Sequence, residues 1–166
     1  TIGCQLAYSK EDTPIPRYLF SGGIDEVVIC NRALSEEELR DIAFVLRVKR
    51  DYDKIQEAIS MSVEGDTVCV EEGTYKENIV IDKNNLTLMG EHCESTYIDG
   101  SGSGTVVNLT NVINVKLAGF TIQNGETGVY FYRSSYNRLT NNRVLNNFKD
   151  GIYLNMSNSN TLVNNM

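Results

Sequence analysis

The last third of the chain alternates apolar and polar residues in short runs, and these runs recur at a nearly fixed period. Leu117, Leu139 and Leu162 follow one another at 22 and 23 residues, and the run GVYF at 128–131 returns as GIYL at 151–154. Alternation such as Val129-x-Phe131 predicts short strands, and no run in these repeats has helical spacing. The period therefore predicts a solenoid in which successive coils stack in parallel β-sheets, with the leucines in one inward column.

The register of the repeat decides which side chains face outward. If the apolar residue before each tyrosine points inward, Tyr130 and Tyr153 point outward on successive coils, with Tyr132 on the same face. Exposed aromatic rings can hold sugar rings, although ordinary cross-strand packing is the alternative. Lys116 and Arg138 form a second outward pair, where two adjacent cations could meet an anionic ligand or be tolerated as surface charge. These five residues are the candidate ligand-binding set.

Asparagine occupies matched positions of successive repeats. An asparagine at a coil corner tolerates a left-handed backbone and can hydrogen-bond its equivalent one coil away. Contact with sugar hydroxyls is the alternative role. The matched pairs are Asn124 with Asn146, Asn141 with Asn164, and Asn142 with Asn165.

A short amphipathic helix is predicted between residues 52 and 62, before the first coil. Ile55, Ala58 and Ile59 supply its apolar stripe, and membership of Met61 stays open. Such a helix would cover the open end of the solenoid core. We therefore divide the chain into residues 1–46, a charged linker at 47–52, and the solenoid at 53–166.

The run from Gly65 to Gly90, with the IQEAI helix before it, resembles the opening coils of pectin-lyase-like right-handed parallel β-helices. It reads GDTVCV, GTY, ENIVI and NLTL along the chain. The later coils resemble the NosD-like group of carbohydrate-binding and sugar-hydrolase repeats. The resemblance implies an all-β fold, a right-handed parallel β-helix solenoid with a short N-terminal capping helix. It is specific for fold and poorly specific for activity.

Residues 1–46 resemble the C-terminal end of a laminin-G-like, concanavalin A-like jelly roll. The similarity rests on IGC at 2–4, FSGGIDEVVI at 20–29 and NRALSEEEL at 31–39. It implies a truncated jelly-roll fragment of a module that binds glycans or acts as an adhesive spacer. Asp25 and Glu26 are expected to close the last strand, and calcium binding is the alternative role. No cofactor is expected in the chain, and the resemblance leaves room for calcium only in the missing part of the jelly roll.

Composition limits the partners and the setting. A net charge of −7 argues against nucleic acid, although residues 101–166 carry five basic and two acidic side chains. The four cysteines, at positions 4, 30, 69 and 93, match no zinc spacing, and pairing of the first two stays open. Sequons at Asn85, Asn108 and Asn155 fit an exported protein. The start at Thr1 and the stop within a repeat lead us to expect a piece of a longer protein, with no membrane span in these residues.

The sequence contains no recognisable catalytic set. Glycoside hydrolysis needs two carboxylates facing one cleft, and the repeats offer only Glu126 and Asp150. We therefore predict part of a large extracellular or cell-surface protein that binds a polysaccharide or cell-surface glycan without cleaving it. One alternative is a polysaccharide lyase or glycoside hydrolase whose catalytic coils lie outside this sequence. Another is a NosD-like accessory protein of the cell envelope, although no Met/His cluster supports copper delivery.

Overall fold

The structure is a computed structural model that describes residues 45–166. The jelly-roll resemblance at residues 1–46 lies, except for its last two residues, outside the described part, as do Asp25, Glu26, Cys4 and Cys30. The described chain contains one helix, α1 (Ile55–Met61), and otherwise folds as strands and turns. The predicted all-β class is confirmed, and the strands form a β-solenoid of about 5 turns.

Three parallel sheets build this solenoid, and the chain visits them in turn. Sheet A consists of β1 (Val45–Val48), β2 (Thr67–Val70), β5 (Thr87–Gly90), β8 (Lys116–Ala118), β11 (Arg138–Thr140) and β14 (Thr161–Val163). Sheet B consists of β3 (Gly73–Lys76), β6 (Thr96–Asp99), β9 (Thr121–Gln123) and β12 (Arg143–Leu145). Sheet C consists of β4 (Ile79–Ile81), β7 (Thr105–Thr110), β10 (Thr127–Tyr132) and β13 (Asp150–Asn155).

The predicted register of the repeats is confirmed. Leu139 pairs with Leu117 on one side and with Leu162 on the other, and Val129 pairs with Ile152. The leucine column continues backwards through sheet A although the earlier coils differ in length. Its earlier members are Leu88, Val68 and Leu46.

The core lies between the three sheets and is built from the inward positions of each strand. Sheet A contributes Leu117 and Leu139, sheet B contributes Ile122, and sheet C contributes Val129 and Phe131, all fully buried. Burying a side chain of this size stabilises the fold by about 1.5–3 kcal/mol relative to exposure. The alternation that predicts the strands is thus the alternation between this core and the outer faces.

Helix α1 covers one end of the core, as the apolar stripe predicts. Ile55, Ala58 and Ile59 are fully buried among the core residues. Met61 is not part of the buried stripe, because it is the last helical residue and its side chain is 65% exposed. The helix begins against the next coil, where the carboxylate of Glu77 accepts hydrogen bonds from the N–H groups of Ile55 (2.8 Å) and Gln56 (3.1 Å).

Strand β1 lies across the boundary at residue 46 that the sequence analysis places between the jelly-roll fragment and the linker. It pairs in parallel with β2, and Val48 is fully buried in the solenoid core. A turn follows at residues 49–51. The alternation of Leu46, Arg47 and Val48 is only three residues long and stands beside Lys49 and Arg50, so it resembles a charged linker more than a strand.

Asparagines at the coil corners have two distinct roles. The first role is the left-handed backbone, which Asn124, Asn146, Asn141 and Asn164 adopt with φ between 53° and 57°. Asparagine tolerates this conformation better than most residues with a side chain. The predicted corner position of these pairs is confirmed.

The second role belongs to asparagines that are buried (Asn137 and Asn142) or partly buried (Asn147, Asn160 and Asn165), and we call these five the corner columns. Asn142 is fully buried; its Oδ1 accepts from the Phe120 N–H (3.1 Å) and its Nδ2 donates to the Leu117 carbonyl (3.0 Å). Asn165 repeats this one coil later, accepting from the Asn142 N–H (3.1 Å) and donating to the Leu139 carbonyl (3.0 Å). Each carboxamide therefore bonds backbone groups of the coil before it.

Candidate functional site

The structure brings the three candidate tyrosines together on the outward side of sheet C, and we call Tyr130, Tyr132 and Tyr153 the aromatic face. Tyr130 and Tyr153 are direct partners on β10 and β13. Their rings stack with centroids 5.4 Å apart and planes 13° from parallel. Tyr130 and Tyr132 stack less closely, at 6.3 Å and 29°. Stacked aromatic pairs at these separations attract one another.

Polar groups border the aromatic face. The Asn155 side chain donates to the Tyr130 hydroxyl (3.0 Å), and the Arg133 guanidinium lies 5.1 Å from the centroid of the Tyr132 ring. The second contact is a cation–π interaction. On the other side, Asn108 of β7 is the direct neighbour of Tyr130. The face thus combines aromatic surface with amide and guanidinium groups that can bond hydroxyls.

The ring spacing limits how a ligand could use the face. A sugar held between two rings needs a contact of about 3.5–4.0 Å on each side, so the rings would have to stand roughly 7–8 Å apart. The 5.4 Å between Tyr130 and Tyr153 is too short for that. Tyr130 and Tyr132 are partly buried, whereas Tyr153 is 48% exposed. A polysaccharide would therefore lie across the rings, with Tyr153 offering the most aromatic surface.

Lys116 and Arg138 are not on the aromatic face. They are direct partners on β8 and β11 of sheet A, whereas the three tyrosines are on sheet C, so the five candidate residues lie on two different sheets. Both are exposed, and neither forms an ion pair with any residue in the range 45–166. Their column contains no carboxylate that could offset the repulsion, since its other members are Val45, Thr67, Thr87 and Thr161.

The two carboxylates of the repeats are on successive coils, with Glu126 just before β10 and Asp150 at the start of β13. Glu126 makes an exposed ion pair with Lys149 at 3.0 Å. Asp150 of β13 is the partner of Thr127 on the neighbouring strand β10, and the Asp150 N–H donates to the Glu126 carbonyl oxygen at 3.4 Å. The candidate acid for a cleavage reaction thus already has a cation beside it.

One carboxylate that the sequence analysis does not single out is Asp99 at the end of β6. Its oxygens accept from the Ser101 N–H (2.8 Å), the Gln123 side chain (3.1 Å) and the Asn124 side chain (2.7 Å). Burial alone would raise the pKa of Asp99, but these hydrogen bonds and the charge of Lys76 together hold it below its usual value. Asp99 is therefore an ionised link between two coils. Asp99 and Gln123 are 24 residues apart, whereas the later repeats have a period of 22–23 residues. A search for polar pairs at this longer spacing could have found the contact.

No group of three or more His, Cys, Asp or Glu residues in the described part of the chain could hold a metal ion. Cys69 and Met89 are neighbours across β2 and β5 and line a groove of about 450 Å³ together with Glu71, Glu72 and Glu91. Cys69 and Cys93 are free thiols. The groove contains two soft sulfur ligands, and it lies on sheet A rather than on the aromatic face.

The family model described as "Periplasmic copper-binding protein (NosD)" matches residues 69–166, which is more than half of the chain. The chain belongs to the NosD family. A cell surface glycoprotein from Methanothermus fervidus is 32% identical to this NosD-family chain over 108 residues, which is 64% of the chain and 18% of the relative. The chain thus spans about a fifth of the length of the curated relative it matches.

Solved structures similar to this NosD-family chain have the pectin-lyase-like β-helix fold. Pectin methylesterase from carrot superposes with a TM-score of 0.53 at 19% identity, covering 61% of the chain and 39% of the enzyme. Alginate lyase from Paenibacillus sp. strain FPU-7 superposes with a TM-score of 0.56 at 12% identity, covering 74% and 44%. At these identities the likeness concerns the fold alone. Across residues 45–166, no helix has the length and apolar character needed to cross a membrane.

Proposed function

We propose that this chain is part of a cell-surface or envelope protein and binds an extended polysaccharide across the aromatic face without cleaving it. The description of the NosD family names the periplasm, and the relative from Methanothermus fervidus is named for the cell surface. One structure with the same fold is a pectin methylesterase in complex with a hexasaccharide. These names support a carbohydrate ligand at the cell surface.

The aromatic face is the observation that carries the proposal. Tyr130, Tyr132 and Tyr153 form one continuous patch on a parallel sheet, and Tyr153 is half exposed. Sugar rings have apolar C–H faces that pack on aromatic rings, while their hydroxyls require hydrogen-bonding partners. Asn108 and Asn155 stand beside the rings and can supply those partners.

The surroundings of Glu126 and Asp99 support binding without cleavage. Hydrolysis of a glycosidic bond uses two carboxylates on either side of that bond. Glu126 is paired with Lys149, and Asp99 is on sheet B with its oxygens bonded by two side-chain amides. No described carboxylate on sheet C stands beside Tyr130 or Tyr153 in register, which supports a binding role for this part of the protein.

Copper, which the family description names, does not fit the described residues. Copper sites use several sulfur or imidazole ligands, whereas Cys69 and Met89 offer two, and the remaining side chains that line their groove are of other kinds. The only histidine, His92, is followed by the free thiol of Cys93 in a turn, and they are not part of any three-residue metal group in the described range. We therefore assign no copper chemistry to this chain.

The test is binding of the full chain to soluble pectin, alginate and a neutral β-glucan, measured by affinity electrophoresis and calorimetry. Aromatic contacts contribute about 0.5–1.5 kcal/mol each, so Tyr130→Ala with Tyr153→Ala should weaken binding roughly tenfold or more. Tyr136→Ala is the matched control, because Tyr136 is exposed at a coil corner and is not one of the sheet C tyrosines.

Two outcomes would contradict the proposal. Equal binding by the double variant and the unchanged chain would remove the aromatic face as the site. New reducing ends or unsaturated sugar ends released from any of the three polysaccharides would instead support the enzymatic alternative, a lyase or hydrolase. Tyr130→Phe with Tyr153→Phe keeps the rings, so retained binding there would assign the affinity to aromatic surface rather than to the hydroxyls.

A further inference from the structure

The three sequons differ in how accessible their reacting groups are. Attachment of an N-linked glycan requires a reachable Asn Nδ2 and the hydroxyl of the residue two positions later. The sequence alone makes Asn85, Asn108 and Asn155 equivalent in this respect. Their positions in the coils make the three asparagines differ in accessibility.

Asn85 leaves its carboxamide nitrogen free. It is exposed, precedes β5 and adopts a left-handed backbone with φ 58°. Its N–H donates to the Ile113 carbonyl (3.0 Å), and its Oδ1 accepts from the Asn114 side chain (3.2 Å). No acceptor among residues 45–166 bonds its Nδ2. Thr87, the third sequon residue, is partly exposed on the outward side of sheet A beside Thr67 and Lys116.

Asn155 uses the groups that glycosylation needs. Its Nδ2 donates to the Tyr130 hydroxyl at 3.0 Å. The hydroxyl of Ser157 donates to the Asn155 carbonyl (2.8 Å) and accepts from the Ser134 N–H (3.0 Å). Both reacting groups are therefore bonded within the fold.

Asn108 lies in the middle of sheet C. It is partly buried on β7, between Val80 of β4 and Tyr130 of β10. The Thr110 hydroxyl donates to its Oδ1 at 3.0 Å. Asn108 is itself inside β7, which is hydrogen-bonded on both sides, whereas Asn85 is at a corner before β5. Bringing Asn108 into a transferase therefore requires local unfolding of the strand that carries it.

We propose that Asn85 is the N-glycosylation site of the folded chain and that Asn108 and Asn155 stay unmodified. This rests on the proposed surface location, because the chain must meet an oligosaccharyltransferase during or after export. The donor is a lipid-phosphate-linked oligosaccharide. Asn85 Nδ2 loses one proton and bonds the anomeric carbon of the sugar, the C1–O bond breaks, and the lipid phosphate leaves with that electron pair.

This placement keeps the aromatic face open. Asn85 leads into sheet A, whereas Asn108 pairs with Tyr130 and Asn155 pairs with Tyr132 on sheet C. A glycan at either of the last two would stand directly beside the rings. A glycan at Asn85 adds its bulky, hydrated chain at the start of a different sheet.

The experiment incubates the folded full chain with a purified oligosaccharyltransferase that recognises the three-residue sequon, together with its lipid-linked oligosaccharide. Glycopeptides are then assigned by mass spectrometry. Cleavage after glutamate is needed, because trypsin leaves Asn85 and Asn108 in one peptide between Lys83 and Lys116, whereas Glu91 separates them. We expect modification at Asn85 alone, and modification at all three asparagines once the chain is unfolded in urea and diluted into the reaction.

Two variants complete the test. Thr87→Val removes the sequon but keeps a β-branched residue in β5 and should abolish modification at Asn85, whereas Thr87→Ser should retain it. Modification of folded chain at Asn108 or Asn155 in preference to Asn85 would overturn the proposal, as would an unmodified Asn85 in protein isolated from its own cell envelope. Neither result depends on polysaccharide binding, so the proposed function and this inference can fail separately.

Discussion

The corner columns and the aromatic face recur at the same period of 22–23 residues, and in both a side chain stands over its equivalent one coil away. They differ in what surrounds them. Asn142 is fully buried and its carboxamide is bonded on both sides, whereas Tyr153 is half exposed and contacts a neighbouring ring. Repetition in the sequence therefore does not by itself distinguish a structural repeat from a surface available to a ligand. Burial and satisfied hydrogen bonds make that distinction.

The largest effect should come from the corner columns. Asn142→Ala removes a carboxamide that accepts from the Phe120 N–H and donates to the Leu117 carbonyl, so both backbone groups lose a partner inside the fold. We expect the free energy of unfolding to fall by about 2–4 kcal/mol, measured by urea titration, with polysaccharide affinity of the folded fraction unchanged. Asn141→Gly is the control: it keeps the left-handed corner without a carboxamide and should be nearly neutral. Equal losses for the two variants would refute the distinction between the two asparagine roles.

The aromatic face should show the reverse pattern. Tyr153→Ala loses one stacked neighbour, so the free energy of unfolding should fall by only about 0.5–1.5 kcal/mol, while polysaccharide binding weakens. Tyr136→Ala, at an exposed corner, should change neither quantity measurably. A stability loss at Tyr153 as large as that of Asn142→Ala would place the tyrosines among the structural contacts instead.

The charge pair on sheet A offers a smaller test. Lys116 and Arg138 are direct neighbours of like charge, and such pairs destabilise a sheet. Lys116→Glu should raise the free energy of unfolding by about 0.2–1 kcal/mol, and Lys116→Gln should raise it by less. The gain should shrink at 1 M NaCl, where the Debye length is about 3 Å and the repulsion between the two charges is largely screened. A gain that is independent of salt would argue against an electrostatic cause.

The smallest effect concerns Asp99 and pH. Because its pKa is lowered by folding, the carboxylate contributes stability that is fully present above its unfolded pKa of about 3.9 and is lost as the pH falls through the folded value. The difference in free energy of unfolding between the unchanged chain and Asp99→Asn should therefore be constant near neutral pH and decrease below about pH 4. A difference that grows on acidification would have the wrong sign.

The sequence predicts what depends on period and alternation. Leu117, Leu139 and Leu162 give the register of the coils, and Ile55, Ala58 and Ile59 give the capping helix. Both patterns report on buried side chains, although Leu162 on β14 is 44% exposed. The family membership and the β-helix fold follow from the same repeats.

The sequence does not predict relations that depend on where the coil turns. Lys116 is on sheet A and Tyr130 is on sheet C, and no pattern in the chain reports the angle between these two sheets. The Asp99 link was missed because its amide partners Gln123 and Asn124 come from a coil of different length. Strand β1 was missed because three alternating residues among charges are too few to indicate a strand.

The corner columns also give the solenoid a direction of assembly. Asn137 accepts from the Val115 N–H (2.8 Å) and donates to the Val112 carbonyl (3.3 Å), so it completes the coil before its own. Asn160 does the same for Asn137 and Ser134. During synthesis or export with the N-terminus leading, each coil therefore emerges with backbone N–H and C=O groups that lack partners. The asparagine of the next coil supplies these hydrogen bonds once that coil has folded. We therefore expect folding to follow the emerging chain with a delay of one coil, so that the coil made last is the one exposed to proteases and to neighbouring chains.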